Sequence, residues 1–280
     1  MKLYVPMQNI KTRLLFFVLL IPGLIFSQSQ KGKILSSETN SGIGFVNVGI
    51  IGKNVGTVSD DIGNFIINLD KIFDNDSLRF SMIGYESKTF LVSQFRNNSI
   101  KAVYLKPRSY ELQEVKVIYR KTKEIRLGIP IISSKLNSGF AYNNLGAELG
   151  INVDIEKQVK LKDINLNVAI CTFDSVTYRL NIYQIENLTE YRNILTEPIY
   201  ISFSKDKIND VITFDLRRYS IIIEGNVLIT LELYKDLGEG KLLFHTEPFI
   251  SSTYTRKTSE GKWNNSPGVV GIYLHGQLIK

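Results

Sequence analysis

The chain is expected to be all-β, folded as two antiparallel β-sandwiches in tandem, and three observations carry this reading. Apolar residues recur at every second position along many short runs, turns rich in Gly, Asp and Asn separate the runs, and few segments have a helical period. The sharpest turn is Gly56-Thr57-Val58-Ser59-Asp60-Asp61-Ile62-Gly63-Asn64-Phe65. There Gly63 can take a positive φ, while Asp60, Asp61 and Asn64 can bond their own backbone.

Before the first sandwich comes a targeting segment. Lys2, Lys11 and Arg13 precede the apolar run from Leu14 to Phe26 with no acid among them. That run falls short of the roughly 20 apolar residues that span a bilayer. Residues 1–27 therefore read as a cleaved export signal peptide, with Ser27 a small residue before the cut. An uncleaved N-terminal anchor is the competing reading; a lipid anchor is disfavoured because no cysteine follows the apolar run. The mature protein is expected to be exported: periplasmic, associated with the outer membrane, or secreted.

The 44% hydrophobic and 22% charged fractions are those of an ordinary globular protein, and no later segment is apolar for long enough to form a transmembrane helix. The net charge of +7 falls to +4 when the three cations of the signal are removed, a weak pull toward an anionic partner. Cys171 is the single cysteine, so an intrachain disulfide is impossible, and its setting, Asn167-Val168-Ala169-Ile170-Cys171, reads as a strand.

In the first domain, residues 28–106, Lys31 to Leu35 opens a sheet. Val46, Val48 and Ile50 share one face of a strand, with Asn47 and Gly49 on the other, the signature of a sheet with one covered face. Phe65, Ile67 and Leu69 repeat the pattern, then Leu78, Phe80 and Met82, and finally Ile100, Val103 and Leu105.

Gly32-Lys33-Ile34, the stretch Ile43 to Val48, Gly56-Thr57 with Asp60, Gly63 and Phe65, and Phe80-Ser81-Met82-Ile83-Gly84-Tyr85 together resemble the carboxypeptidase-regulatory-like domain family. The resemblance implies a transthyretin-like sandwich of about seven strands and a setting on envelope proteins of Bacteroidota. It does not imply hydrolysis, since the family takes its name from an accessory domain. A zinc peptidase needs about three protein ligands and a general base; here His245 and His275 are the only histidines, thirty residues apart and outside any His-Glu-x-x-His or His-x-x-Glu pattern.

Residues 107–135 read as a linker. Arg120, Lys121, Lys123 and Arg126 form a short basic cluster, either a solvated linker or a peripheral contact with lipid phosphates or an acidic partner. Glu111 to Ile118 resembles the segment that leads from this domain into the plug and barrel of large outer-membrane transporters, but a barrel of some 22 strands needs far more chain. Nucleic acid is not an expected partner.

The second domain, residues 136–280, is expected to be jelly-roll-like. Ile164, Leu166, Val168 and Ile170 alternate, as do Val176, Tyr178, Leu180 and Ile182. Ile221 to Tyr234 reads as two strands joined by a hairpin turn at Glu224-Gly225-Asn226. The run from Gly146 to Gly150, the Tyr178 to Tyr183 strand, Asp215-Leu216 with Tyr219, and Leu231-Glu232 resemble a β-sandwich half found after the regulatory-like domain in Bacteroidota proteins.

Chemistry-bearing motifs are sparse. There is no Gly-x-Ser-x-Gly elbow and no phosphate loop, and no catalytic, cofactor-binding or metal-ligating residue is assigned. Asp60-Asp61 and Asp74-Asn75-Asp76 offer clustered oxygens, but turn chemistry accounts for both. Trp263, in a polar loop, is the candidate ligand platform, with Asn264 and Asn265 as amide neighbours and Tyr254 as an additional ring. Otherwise Trp263 closes one end of the sandwich. A hydrolase with an unrecognised site would have to gather groups such as Glu148, Asp154, Glu232 and His245. The expectation is thus a non-enzymatic cell-envelope protein acting as a scaffold or interaction module, without a cofactor, whose partner is an envelope protein or a glycan and whose sheet edges can accept an extended strand. The alternative is a carbohydrate-binding module using the Trp263 loop.

Overall fold

The computed structural model describes residues 28–97, 100, 102–108, 123–132, 135–187, 190–208 and 211–279. The expected signal peptide and residues 109–122 of the linker, with Arg120 and Lys121, lie outside the described residues.

Seven strands build the first unit: β1 (Gln28–Ser36), β2 (Asn47–Ile50), β3 (Gly56–Val58), β4 (Asn64–Leu69), β5 (Ser77–Ser81), β6 (Lys88–Leu91) and β7 (Ala102–Leu105). They form a three-stranded sheet, β4-β1-β7, and a four-stranded sheet, β3-β2-β5-β6. Alternation along β4 buries Phe65, Ile67 and Leu69, which join Ile34, Val48 and Phe80 in one apolar core. The Phe80 ring lies 5.5 Å from both Phe65 and Phe95, so three aromatic rings fill the centre. At the turn before β4, the Asp60 carboxylate accepts from the backbone N–H groups of Ile62 (3.1 Å) and Asn64 (2.7 Å) and from the Asn64 amide (2.9 Å). Gly63 there has φ 87°, as the turn chemistry predicts.

Two details of this sandwich differ from the sequence reading. The β1–β7 pair is parallel, with Ile34 beside Val103. Between β6 and β7 the chain crosses to the other sheet through a short helix, α1 (Val92–Asn97), whose Val92 and Phe95 plug the core, and so it returns along the direction of β1. Moreover β2 is buried on both faces: Val48 and Ile50 face the core, and Asn47 and Gly49 are covered by the second unit.

The second unit comprises β8 (Glu124–Gly128), β9 (Leu136–Phe140), β10 (Glu148–Leu166), β11 (Val168–Cys171), β12 (Ser175–Asn187), β13 (Glu190–Asn193), β14 (Ile199–Ser204), β15 (Ile212–Asp215), β16 (Ile222–Glu232), β17 (Leu242–Arg256), β18 (Asn264–Val270) and β19 (Ile272–Leu278). These twelve strands form one hydrogen-bonded network with the central path β11-β17-β10-β16-β12-β13. Strand β10 holds the network together. Its first residues pair with β16 and β17, and its last with β15 and β19, so one long strand passes from one set of neighbours to another around a shared core. Val176, Tyr178, Leu180 and Ile182 point into that core, as their alternation predicts.

Part of the segment read as a linker is structured: β8 pairs with β19, and its Ile125 and Leu127 pack on the core. The expected hairpin at Glu224-Gly225-Asn226 does not form. Strand β16 runs on through it, and the irregularity lies on β10, where the residues between Ile155 and Val159 bulge opposite Glu224; Gly225 takes φ 72°. Among the described residues no helix is long and apolar enough to cross a membrane.

Candidate binding cleft at the seam between the two sandwiches

Four strands of the second unit place a row of charges side by side. Because apolar residues of β10, β12 and β16 face the core, the intervening residues face outward, and the strand registers set Arg256 beside Glu148, Glu148 beside Glu232, and Glu232 beside Arg179. A lone sandwich would leave this face in water. Here the first unit helps cover it, and Glu148, Arg179 and Glu232 are each no more than 1% exposed.

Burial on this scale is tolerated only when hydrogen bonds satisfy the charges. Arg179 donates Nε and Nη2 to Glu232 (2.8 and 2.7 Å), and Asn181 donates to the same carboxylate at 2.6 Å. Arg179 also reaches across the seam, donating to the Phe45 carbonyl (2.7 Å) and the Asn47 side chain (3.0 Å). Phe45 presents that carbonyl from a left-handed backbone (φ 59°), with its ring against Tyr234 at 4.9 Å. Glu148 accepts from Arg256 Nε (2.9 Å), from the Tyr183 hydroxyl (3.0 Å) and from Thr230. Glu260 closes the seam, taking Arg79 Nε at 2.8 Å and the Ser81 hydroxyl at 2.6 Å. Ser259 donates to Asn47 at 2.9 Å. Any Cβ at Gly49 would collide with the Ser259 carbonyl, so glycine permits this close approach.

The two central carboxylates differ in proton affinity. Burial raises that of Glu232, but the charge and hydrogen bonds of Arg179 outweigh it and hold the group below its ordinary value. Burial pushes Glu148 up, the neighbouring Glu232 adds to this, and Arg256 opposes it. Burial likewise drives the Tyr183 phenol well up, so it stays protonated and donates.

Beside this seam opens a cleft of about 650 Å³, lined by both units. Arg179, Asn181 and Arg256 lie on its lining, with Tyr183, Tyr191 and Trp263 from the second unit and Ser81, Tyr85 and Arg108 from the first. Trp263 is half-buried: its ring is 5.5 Å from Tyr191 and 5.9 Å from Tyr183, and the Arg256 guanidinium lies 4.9 Å from it.

Of the sequence-predicted candidates, Trp263 lines the cleft, whereas Asn264, Asn265 and Tyr254 do not. Asn264 and Asn265 are exposed at the start of β18, paired with Thr255 and Tyr254. Glu148 and Glu232 lie side by side but each is held by an arginine; Asp154 is exposed, and His245 sits on β17 away from them, opposite Asn137 of β9. The Asp163 carboxylate lies 2.8 Å from His275 Nδ1 and accepts from it. Asp74 is engaged by Arg96, and Asp76 lies 3.8 Å from Lys53. Cys171 is half-buried; burial pushes its thiol up, and it donates to the Phe173 carbonyl at 3.5 Å. The sequence reading missed Tyr191, Arg179 and Arg256. The one signal for Arg179 and Arg256 was polar residues alternating with the apolar ones on β12 and β17; Tyr191, on β13, carried none.

The model of the CarboxypepD_reg-like domain matches residues 30–117. The first unit is therefore a regulatory-like β-sandwich domain, a module that is not itself catalytic; the rest of the chain lies outside the match. A comparison with curated proteins finds no match. Among solved structures, the infectious bursal disease virus VP2 subviral particle aligns at 8% identity and a TM-score of 0.18, over 90% of this chain and 64% of that one, a likeness too slight to carry an argument.

Proposed function

We propose that this is a non-catalytic, exported cell-envelope protein of a Bacteroidota type, acting as a binding module that holds a carbohydrate in the cleft between its two sandwiches. The observation that supports this is the position of Trp263, which stands on the wall of an open cleft beside Tyr191 and Arg256. An aromatic face beside polar groups is the composition that receives a sugar ring, with C–H bonds against the rings and hydroxyls toward polar lining residues at the surface such as Ser87. The non-catalytic reading is supported by the fate of the two central carboxylates. Glu148 and Glu232 are buried and each is neutralised by an arginine, which leaves neither free to move a proton to a ligand.

The test is retention on a glycan array by the purified protein and by Trp263→Ala. Binding that disappears in Trp263→Ala and persists in Asn265→Ala, whose side chain does not line the cleft, supports the reading. Silence from a well-folded protein overturns it and leaves an envelope protein as the partner.

A further inference from the structure

We infer that the carbohydrate taken by the cleft is anionic, carrying carboxylate or sulfate groups, an inference that rests on the carbohydrate reading. The argument is the sign of the charge around the aromatic wall. Six of the lining side chains are cationic and two are carboxylates. Of those two, Glu260 is consumed by Arg79 and Ser81, which leaves Glu190 as the acid on the lining that no arginine or lysine pairs among the described residues.

The deep cations are also spoken for, Arg179 by Glu232 and Arg256 by Glu148. Two at the rim are not: Lys262 and Arg108 are exposed and make no ion pair among the described residues, while Arg192 is held by an exposed pair with Glu186. Lys262 immediately precedes Trp263, so the Trp263 ring has a cation beside it in the chain, while Tyr191 stands between the carboxylate Glu190 and the cation Arg192. Arg108 comes from the first unit on the other side of the seam. A neutral sugar would use the rings and leave these cations idle; a uronate or sulfated sugar stacks on Trp263 while its charges meet the rim. The cleft volume falls within the roughly 300–1,000 Å³ of small-ligand sites, which suits a short stretch of such a chain.

The experiment uses an array carrying uronate-bearing, sulfated and neutral oligosaccharides, with polyglutamate as a peptide polyanion, followed by calorimetric titration of the best binder. The expected result is retention of acidic glycans, weakened by salt and lowered about tenfold in Lys262→Glu, with a smaller drop in Arg108→Ala. Both residues are exposed, so these variants keep the fold, and an unchanged thermal transition checks this. Uronate against sulfate spots separates the two sources of charge. If neutral and acidic sugars bind equally and Trp263→Ala loses both, the anionic inference fails while the carbohydrate reading stands. Retention of polyglutamate in place of glycans overturns both, as does a folded protein that retains nothing.

Discussion

Strand β2 divides two regions built on opposite physics. Its core face, Val48 and Ile50, meets Phe80 and the other apolar side chains inside the first sandwich. Its seam face, Asn47 and Gly49, meets Arg179 and the Ser259–Glu260 turn of the second. Apolar packing gains from any arrangement that excludes water. The seam gains only when each donor finds its acceptor, because an uncompensated buried charge costs several kcal/mol. The core therefore supplies stability, and the seam fixes how the two sandwiches are oriented and hence the shape of the cleft beside them.

The largest effects come from removing the centre of each region. Arg179→Ala, which strands Glu232 without its cation, is expected to cost about 3–5 kcal/mol in urea denaturation. Phe80→Ala is expected to cost a similar ~3–5 kcal/mol through its cavity. The two part company on rescue. Adding Glu232→Leu to Arg179→Met removes both charges and recovers part of the loss, as replacement of a buried pair by apolar residues does elsewhere; no second polar change rescues Phe80→Ala. A seam variant that costs under about 1 kcal/mol would show the ion pairs to be ornamental.

Acid sharpens the same contrast. Glu232 has its folded proton affinity depressed, so the stability it contributes is present above its ordinary value of 4.5 and is lost as pH falls through the lower folded value. The stability gap between the protein and Glu232→Gln is accordingly expected to narrow below pH 4.5, since a protonated glutamate resembles glutamine. The corresponding gap for Phe80→Ala stays level across the same titration.

A smaller effect belongs to the Asp60 turn. Gly63→Ala places a side chain at φ 87° and against the Ile34 carbonyl, with an expected cost of about 1–2 kcal/mol by thermal unfolding. At the lower end stands Arg217→Ala. Its pair with Asp215 (2.6 Å) is exposed, and no change in the denaturation midpoint is expected, in contrast to the same chemistry at Arg179.

Legibility in the sequence followed locality. The Asp60–Gly63 turn could be read because its hydrogen bonds close within five residues, and the alternation on β4 and β12 because one face of each meets its own core. Glu224-Gly225-Asn226 misled because its residue types suit a turn, yet β16 continues through them opposite a bulge in β10, some seventy residues away in the chain. Trp263 was found as the sole tryptophan in a polar loop, but Tyr191 and Arg256 were not. Nothing in their own neighbourhoods tells that β12, β13 and β17 bring them to one ring.

By itself, then, the sequence determined the all-β class, the two apolar cores and the local turns, because period-2 hydrophobicity and turn chemistry act between residues close in the chain. Only the tertiary structure decided that the polar faces of β2, β10, β12 and β16 are interior rather than wet. That is a matter of which surface lies opposite, and a row of Arg, Glu, Glu and Arg reads the same in a solvated strand as in a buried seam until a second sandwich takes the place of water.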